Sequence, residues 1–258
     1  MLRVQAALLA HPAVAVASHA SAARLMGAPN DLGPDEHVTV PEAGQRRQRH
    51  GVRCHVATLR EQDVHALEGL RVTVPERTFL DLAGILPLVE LVVLGDWLVA
   101  TGRATAASLR GYCESTPARY AKRAAEAAAY VRAGVDSPNE SRLRMLLVLA
   151  GLPEPTVNLE IRGKDGRLLV KIDLAYEQVR LAVEYDGRQH LESAPQWERD
   201  VVRGDFFADQ AWRHLRVTSR GLFRDPESTV RRVWTALHEL GHPDLAAPSE
   251  AWRRHFAA

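Results

Sequence analysis

Two apolar runs in the second half of the chain predict a β-hairpin. They cover residues 168–174 and 179–185, are rich in Val, Ile and Leu, and are separated by a short polar connection. Alternate residues of a strand share a face, so two ionisable side chains share one face of each strand. A strand in a hydrophobic core would normally carry no ionisable side chain. The four ionisable residues here are Lys171, Asp173, Glu184 and Asp186.

Three of these four side chains are carboxylates that would converge within the apolar pattern. Burying carboxylates side by side is unfavourable unless a cation or hydrogen-bond donors share the site, so the pattern predicts a divalent metal site. Gly187 has no Cβ and permits a sharp turn directly after Asp186. The structural alternative is a cross-strand ion pair between Lys171 and Glu184 with no catalytic role.

The pattern on either side of the hairpin predicts alternating helices and strands. Ser137, Pro138 and Glu140 are typical of a helix start, and the helix is predicted to run to Ala150. Glu140 either serves that start as a capping acid or points into the carboxylate site. The remaining predicted elements are a strand at 157–162, a helix at 195–210 carrying Asp200 and Arg203 on one face, a strand at 212–218 and a helix at 226–240.

The first half reads as a mixture of short helices and strands. Strands 37–40 and 52–56 are predicted to form a hairpin with a basic tip, which either binds phosphates or is a solvated turn. The arginines of that tip are Arg46, Arg47 and Arg49. Helices are predicted at 18–26, 77–83, 88–100 and 106–114, with a solvent-facing helix or connector at 119–132 and a further strand at 70–74.

Charge and composition narrow the possible partners and compartment. The formal net charge is +1 and is balanced in both halves, so any nucleic-acid surface must be a local patch. Two cysteines are too few for a disulfide framework or a zinc site, which favours the cytoplasm. No apolar run is long enough to span a membrane, and the polar interruptions of the alanine-rich start argue against a signal peptide. His11, His19 and His65 are unclustered in the sequence and are expected to be core or surface residues rather than ligands.

The second half resembles the very-short-patch-repair branch of the PD-(D/E)xK nucleases. The likeness covers roughly residues 137–233 and is carried by the element order and by Glu140, Asp173, Glu184, Asp186-Gly187, His190, the Asp200 and Arg203 pair and strand 212–218. It implies an α/β fold in which a mixed α+β domain, residues 1–134, precedes a restriction-endonuclease-like domain, residues 137–258. In the second domain a helix would precede a three-stranded sheet with the central hairpin, followed by helix, strand and helix.

This resemblance also implies phosphodiester hydrolysis, with DNA as the expected substrate and Mg²⁺ or Mn²⁺ as cofactor. Asp173 and Glu184 would bind the metal, Glu140 would orient a ligand or a bound water, and His190 would donate to the phosphate or leaving group. Arg203, with the basic tip, would bind nucleic acid. The sequence departs from the family at Asp186, which stands where the signature has lysine. Either Lys171 supplies the ammonium from the neighbouring strand, or Asp186 is a further metal ligand.

The first half resembles the C-terminal region of AbiEi-type antitoxins of bacterial toxin–antitoxin systems. The matching pieces are residues 18–23, 37–40, 46–49, 72–75 and 77–83. Met1 falls too close to the first matched helix for the winged helix that often precedes this region. The resemblance implies a toxin or defence-system partner and no membrane. Two alternatives to a nuclease therefore stay open: a nucleic-acid-binding regulator whose nuclease fold has lost catalysis, and a protein–protein module of a defence system.

Overall fold

The computed structural model describes residues 1–187, 203–243 and 245–256 of the 258-residue chain. The chain divides into two compact units, Met1–Ala133 and Gly134–Ala258. Each unit has its own mixed β-sheet and its own helices. Within the described residues, every helix is too short or too polar to cross a lipid bilayer.

The first unit is built on a five-stranded mixed sheet. Its strand order is β3-β2-β1-β5-β4, in which β1 is antiparallel to β2 and parallel to β5, while β4 and β5 form an antiparallel pair. The two-residue β1 and the strand β4 were absent from the predicted elements. The bounds of the strands are β1 Val16–Ala17, β2 Glu36–Val40, β3 Val52–Val56, β4 Val64–Leu67 and β5 Leu70–Thr73.

The predicted hairpin of β2 and β3 is wrong, because these two strands pair in parallel. Glu36 lies opposite Val52 and Val40 opposite Val56. Alternation of apolar residues identifies a strand but carries no information about its direction. The connection, residues 41–51, contains the 3-10 turn Ala43–Gln45 and is much longer than a tight hairpin loop, so it returns the chain to the starting end of the sheet.

Six helices accompany this sheet, and α4 supplies much of the core. Leu91, Leu94 and Leu98 of α4 are fully buried. Helix α6 was predicted to face solvent, but one of its faces is buried. Ala124, Ala127 and Ala128 are fully buried, since alanines spaced by three or four residues form a narrow packing stripe. The helices are α1 Leu2–Leu9, α2 His19–Met26, α3 Pro75–Leu82, α4 Leu88–Ala100, α5 Ala106–Ser115 and α6 Ala121–Ala129.

The second unit has a four-stranded sheet of order β6-β7-β8-β9. The first two pairings are antiparallel, and β9 is parallel to β8. The strands are β6 Thr156–Arg162, β7 Leu168–Tyr176, β8 Leu181–Asp186 and β9 Arg213–Thr218. The helices are α7 Pro138–Leu149, α8 with residues 203–209 described, α9 Ser219–Phe223, α10 Pro226–Glu239 and α11 Arg253–Phe256.

The central hairpin of this unit is confirmed. Leu174 pairs with Val183 and Tyr176 with Leu181, and a 3-10 turn at Glu177–Val179 joins the strands. Apolar side chains of β7 and β8 pack with Phe207 of α8, so the helix is anchored on the hairpin. The predicted helix 195–210 is described only from Arg203 onward, and its earlier part, with Asp200, lies outside the described residues.

Candidate active site

The structure brings Asp173 and Glu184 together where the β7–β8 ladder ends. The last backbone pair on that side is Leu174 with Val183. Beyond it, the Tyr185 backbone N–H donates to Asp173 Oδ2 at 3.0 Å, so a side-chain carboxylate takes the place of a main-chain acceptor. This bond fixes Asp173 beside the residue that precedes Tyr185, which is Glu184.

Glu184 is buried, with 8% of its surface exposed, and the guanidinium of Arg203 and the imidazole of His214 contact its carboxylate. Arg203 Nε donates to Glu184 Oε2 at 3.1 Å, Arg203 Nη2 donates to Oε1, and His214 Nε2 lies 2.7 Å from Oε2. Burial would raise the pKa of Glu184, but the hydrogen bonds from His214 and Arg203 outweigh it and hold the pKa below its usual value. Glu184 is therefore an anion held by donors.

Arg203 itself is held on three sides. Besides Glu184, its Nη2 donates to the Lys171 carbonyl at 2.6 Å, and its guanidinium lies over the Phe207 ring, 5.6 Å from the centroid. The Phe207 ring in turn stacks on His214, with centroids 4.3 Å apart. Helix α8 and strand β9 thus bring a guanidinium and an imidazole to one carboxylate.

Glu140 is buried at the start of α7. Its backbone N–H donates to the side chain of Ser137, which confirms the predicted N-cap. Its carboxylate Oε2 accepts from the Asp136 backbone N–H at 3.1 Å and from Asn158 Nδ2 at 2.9 Å. The two alternatives for Glu140 are therefore compatible, because it anchors the helix start and also lies close enough to Asp173 to perturb it.

Asp173 is the carboxyl whose ionisation is most disturbed at this site. Burial and the negative charges of Glu140 and Glu184 raise its pKa to about 7, against the opposing effects of the Tyr185 N–H and Arg203. The crowded carboxylates thus hold more negative charge than the neighbouring donors compensate. A cation at this position would relieve that excess, and oxygen ligands are those that Mg²⁺ and Mn²⁺ prefer.

Lys171 and Asp186 flank this pair of carboxylates. Lys171 Nζ forms an ion pair with Asp136, which together with the charges of Glu140 and Glu160 raises the lysine pKa. Among the described residues Glu184 pairs with Arg203 and His214, so the alternative of a Lys171–Glu184 ion pair is wrong. Asp186 is the last residue of β8 and lies opposite Thr218 of β9.

Three residues of the site were missed by sequence reasoning. His214 contacts Glu184, Asn158 contacts Glu140, and Asp136 contacts Lys171. A histidine in the predicted strand 212–218 was the one available signal. Asn158 adopts a left-handed backbone (φ 48°) and its Nδ2 donates to the Gly134 carbonyl at 2.7 Å, an arrangement that local periodicity does not encode.

The other predicted site residues belong to the first unit or lie outside the described residues. His190 is outside the described residues. Arg46, Arg47 and Arg49 are exposed on the connection between β2 and β3, in the first unit. Since that pair of strands is parallel, these arginines lie on a long crossover and not on a hairpin tip.

Comparison with known proteins supports the class of fold. Residues 157–237 match the model of the family named REase_MTES_1575, a restriction-endonuclease-like family. The match spans strands β6–β9 and both carboxylates, so the sheet region of the second unit fits a restriction-endonuclease-like domain, as the predicted fold class stated.

Two curated relatives are similar over part of the chain. They are the uncharacterized proteins MT2308 and Rv2248 of two Mycobacterium tuberculosis strains, CDC 1551 / Oshkosh and ATCC 25618 / H37Rv, each 26% identical over 98 residues. The similarity covers 38% of this chain and 36% of each relative, so the chain spans about a third of their length. No solved structure matches the chain.

Proposed function

We propose that the second unit is a metal-dependent nuclease that hydrolyses phosphodiester bonds, with DNA as substrate. The observation that carries this proposal is the position of Asp173 beside Glu184 and Glu140, where burial first and then the charges of these two carboxylates raise the pKa of Asp173 to about 7. The match of residues 157–237 to a restriction-endonuclease-like family supports the same conclusion. Closely spaced buried carboxylates of this kind are a means of binding a hard divalent cation.

Asp173 and Glu184 would hold the Mg²⁺ or Mn²⁺ ion, with Asp186 as a further oxygen ligand. A bound ion lowers the pKa of its water and neutralises charge on the phosphate. Glu184 Oε2 accepts from Arg203 Nε and His214 Nε2, whereas Oε1 accepts from Arg203 Nη2, so Oε1 retains a lone pair for an ion. Arg203 and His214 are then positioning residues that fix the Glu184 carboxylate.

The remaining side chains have separate roles toward the substrate. The ammonium of Lys171, whose pKa is raised, stays protonated near neutrality and attracts a phosphate as a fixed positive charge. It is therefore unsuited to remove a proton from water. His190 is proposed to donate to the phosphate or leaving group, a role that rests on the sequence resemblance alone.

The first unit is proposed to bind nucleic acid or a partner protein. Its exposed arginines Arg46, Arg47 and Arg49 provide sequence-independent attraction to phosphates. The AbiEi-like segments support a toxin or another defence-system component as that partner. We expect replacement of the three arginines by Gln to abolish duplex binding. At a substrate concentration high enough to restore binding, cleavage should be unchanged.

Cleavage assays with an isosteric variant test the catalytic proposal. Asp173→Asn keeps an acceptor for the Tyr185 N–H but removes the charge, and we expect cleavage of supercoiled and linear DNA in Mg²⁺ or Mn²⁺ to fall by at least about 100-fold. Asp165→Asn, on an exposed turn where Oδ1 accepts from the Arg167 N–H at 3.0 Å, is the matched control and should cleave normally. Undiminished cleavage by Asp173→Asn would refute the assignment.

A second candidate, a non-catalytic nucleic-acid-binding regulator, rests on two observations. Asp186 occupies the signature position of the lysine, and Glu184 is satisfied by Arg203 and His214. This candidate predicts DNA binding without divalent metal that weakens steeply with salt, and no cleavage by the unmodified chain. Calorimetric titration of Mg²⁺ and Mn²⁺ into the chain and into Asp173→Asn separates the two candidates.

A further inference from the structure

Three histidines from separate parts of the first unit meet at one place. They are His19 at the start of α2, His37 on β2 and His55 on β3. One ring nitrogen of each lies within 4.8 Å of the corresponding nitrogens of the other two. The rings of His19 and His55 stack with centroids 3.7 Å apart, and His37 lies 5.0 Å from His55. The expectation that His19 is unclustered is therefore wrong.

The parallel pairing of β2 and β3 creates this cluster. His37 lies opposite Arg53 and Thr39 opposite His55, so the two histidines share one face of neighbouring strands. In the antiparallel hairpin that the sequence suggested, the register would have been different. His19 reaches the same face from α2 with a left-handed backbone (φ 47°), which is unfavourable for a side chain with a Cβ and is found most often at functional sites.

A second layer of polar groups orients His19. The His19 Nδ1 atom lies 3.0 Å from Ser18 Oγ and 3.8 Å from Asp81 Oδ2. Ser18 Oγ in turn accepts a hydrogen bond from Thr39 Oγ1 at 2.7 Å. Arg77 Nε donates to Asp81 Oδ1 at 2.8 Å. Among the described residues, no group donates a hydrogen bond to Asp81 Oδ2. A proton on His19 Nδ1 would be donated to Ser18 Oγ, with Asp81 Oδ2 close behind as a negative charge, and the lone pair would then be on Nε2. A carboxylate behind a histidine is the usual outer shell of a metal ligand.

The three rings are also in the protonation state that a metal requires. Burial first, and then the neighbouring rings and arginines, lower the pKa of His19 to about 2 and those of His37 and His55 to about 4. Neutral imidazoles have a free lone pair on one nitrogen.

The cluster is open on one side to a cavity of about 620 Å³ within the same unit. Arg53, Arg77 and Arg119 also line this cavity, and it provides a route for an ion to reach the rings. It leaves space for a water or a small anion as a further ligand, which is the arrangement of an open, three-histidine site.

We propose that His19, His37 and His55 bind one divalent first-row transition-metal ion, with Zn²⁺ as the reference ion. Imidazole nitrogens suit Zn²⁺, Cu²⁺, Ni²⁺ and Fe²⁺, in contrast to the oxygen ligands proposed for Mg²⁺ in the second unit. His55 Nε2 and His37 Nδ1 are 3.1 Å apart, close to the roughly 3.3 Å between two ligands of a tetrahedral zinc ion. Because the His19 and His55 rings are stacked, ligation of one ion by all three histidines requires these two rings to turn so that their lone pairs converge. The competing explanation is a neutral hydrogen-bonded histidine network.

Co²⁺ absorption and Zn²⁺ calorimetry test the proposal on the full chain carrying Asp173→Asn, which suppresses the carboxylate site. We expect one ion per chain with the visible absorption of a nitrogen-bound Co²⁺. His37→Gln and His55→Gln should each weaken binding at least about 10-fold, since loss even of an outer-shell partner has that effect. His50→Gln removes an exposed histidine of the same unit and should leave binding unchanged.

X-ray absorption of the unmodified chain at substoichiometric Zn²⁺ provides a readout that needs no variant. Three imidazole ligands are expected. Three results would each overturn the metal site and leave the hydrogen-bonded network. They are fewer than two imidazole ligands, equal Co²⁺ affinity in His37→Gln and His50→Gln, and no binding at millimolar metal. Circular dichroism of each variant establishes that it is folded, and if His37→Gln and His55→Gln unfold, the X-ray result decides.

Discussion

Two properties of the Asp173 carboxylate have opposite effects on stability at high pH. Its carboxylate accepts the Tyr185 N–H where the β7–β8 ladder ends, and its ionised form is unfavourable because of burial and the charges of Glu140 and Glu184. An amide at this position can still accept the N–H but carries no charge. The carboxylate is therefore retained at the expense of stability, as is common for residues that bind a ligand or metal.

Replacing Asp173 by Asn should stabilise the metal-free second unit at high pH. The folded pKa of about 7 exceeds the unfolded value, so the folded chain binds more protons between about pH 4 and pH 7 and loses stability as the pH rises through that window. We expect Asp173→Asn to raise the free energy of unfolding by roughly 2 kcal/mol at pH 8, with a smaller gain at pH 5. Native-state hydrogen exchange in β7 and β8, with a chelator present, measures both.

Asp165→Asn is the control for this comparison and should have little effect at either pH. A larger gain at pH 5 than at pH 8 would contradict the raised pKa of Asp173.

At the scale of residues, the sequence identified the acids and missed their partners. Asp173 and Glu184 were detectable because charged residues in an apolar strand violate a simple alternation. Arg203 was assigned to nucleic acid, yet it contacts Glu184, and His214 was not singled out. Contacts between residues 20 or 30 positions apart depend on how elements pack, which no local periodicity specifies.

Among the elements, α4 and α5 each contain a glycine, in very different surroundings. A Cβ added at Gly95 of α4 would lie 2.4 Å from Val131 Cγ2 and 3.0 Å from Phe79 Cε2. A Cβ at Gly111 of α5 would meet nothing within 4 Å. Gly95 therefore permits close packing of α4, whereas Gly111 only weakens its helix.

The matched substitutions Gly95→Ala and Gly111→Ala should change stability in opposite directions. Gly95→Ala overpacks the core and is expected to destabilise the first unit by about 1–3 kcal/mol. Gly111→Ala lies in an exposed helix interior and should stabilise it by roughly 0.5–1 kcal/mol. Urea denaturation followed by hydrogen exchange in α4 gives both values. Equal effects of the two substitutions would show that the contacts of Gly95 do not limit packing.

The elements of the chain were predicted well, and their directions less well. Helix 88–100 matches α4 in full, and the hairpin 168–185 matches β7 and β8. The pairing of β2 with β3 was predicted antiparallel and is parallel, because the pattern of a buried strand is the same in either direction. That one error also concealed the three-histidine cluster, whose members become neighbours only in the parallel register.

Across the whole molecule, the three histidines of the first unit and Asp173 of the second should respond to pH in opposite senses. In the first unit the folded pKa values of His19, His37 and His55 are about 2, 4 and 4, below those of the unfolded chain. The unfolded chain therefore binds more protons between about pH 6.5 and pH 4, so stability is full above that window and is lost as the pH falls through it. The charged groups near the rings are Arg24, Arg46, Arg53, Arg77, Asp35 and Asp81.

We expect the first unit to unfold at a higher pH than the second on acidification. Hydrogen exchange of β2 and β3, compared with β7 and β8 over pH 7 to 4, measures this difference. The double variant His37→Gln, His55→Gln should flatten the acid dependence of the first unit and leave the second unchanged. An acid dependence that the double variant retains in full would show that groups other than these histidines control it.

The order in which the chain is synthesised determines when Glu184 can contact its partners. The β7–β8 hairpin is local and can form as soon as Asp186 is available, whereas Arg203 and His214, which balance Glu184, are synthesised later. Until β9 arrives, the nascent chain carries an uncompensated acidic pair beside an open strand edge. The last strand therefore covers the edge of β8 and supplies the His214 contact to Glu184 in one step. A ribosome-bound chain that stops short of His214 cannot hold the completed centre, which delays any activity of this domain until synthesis has passed that point.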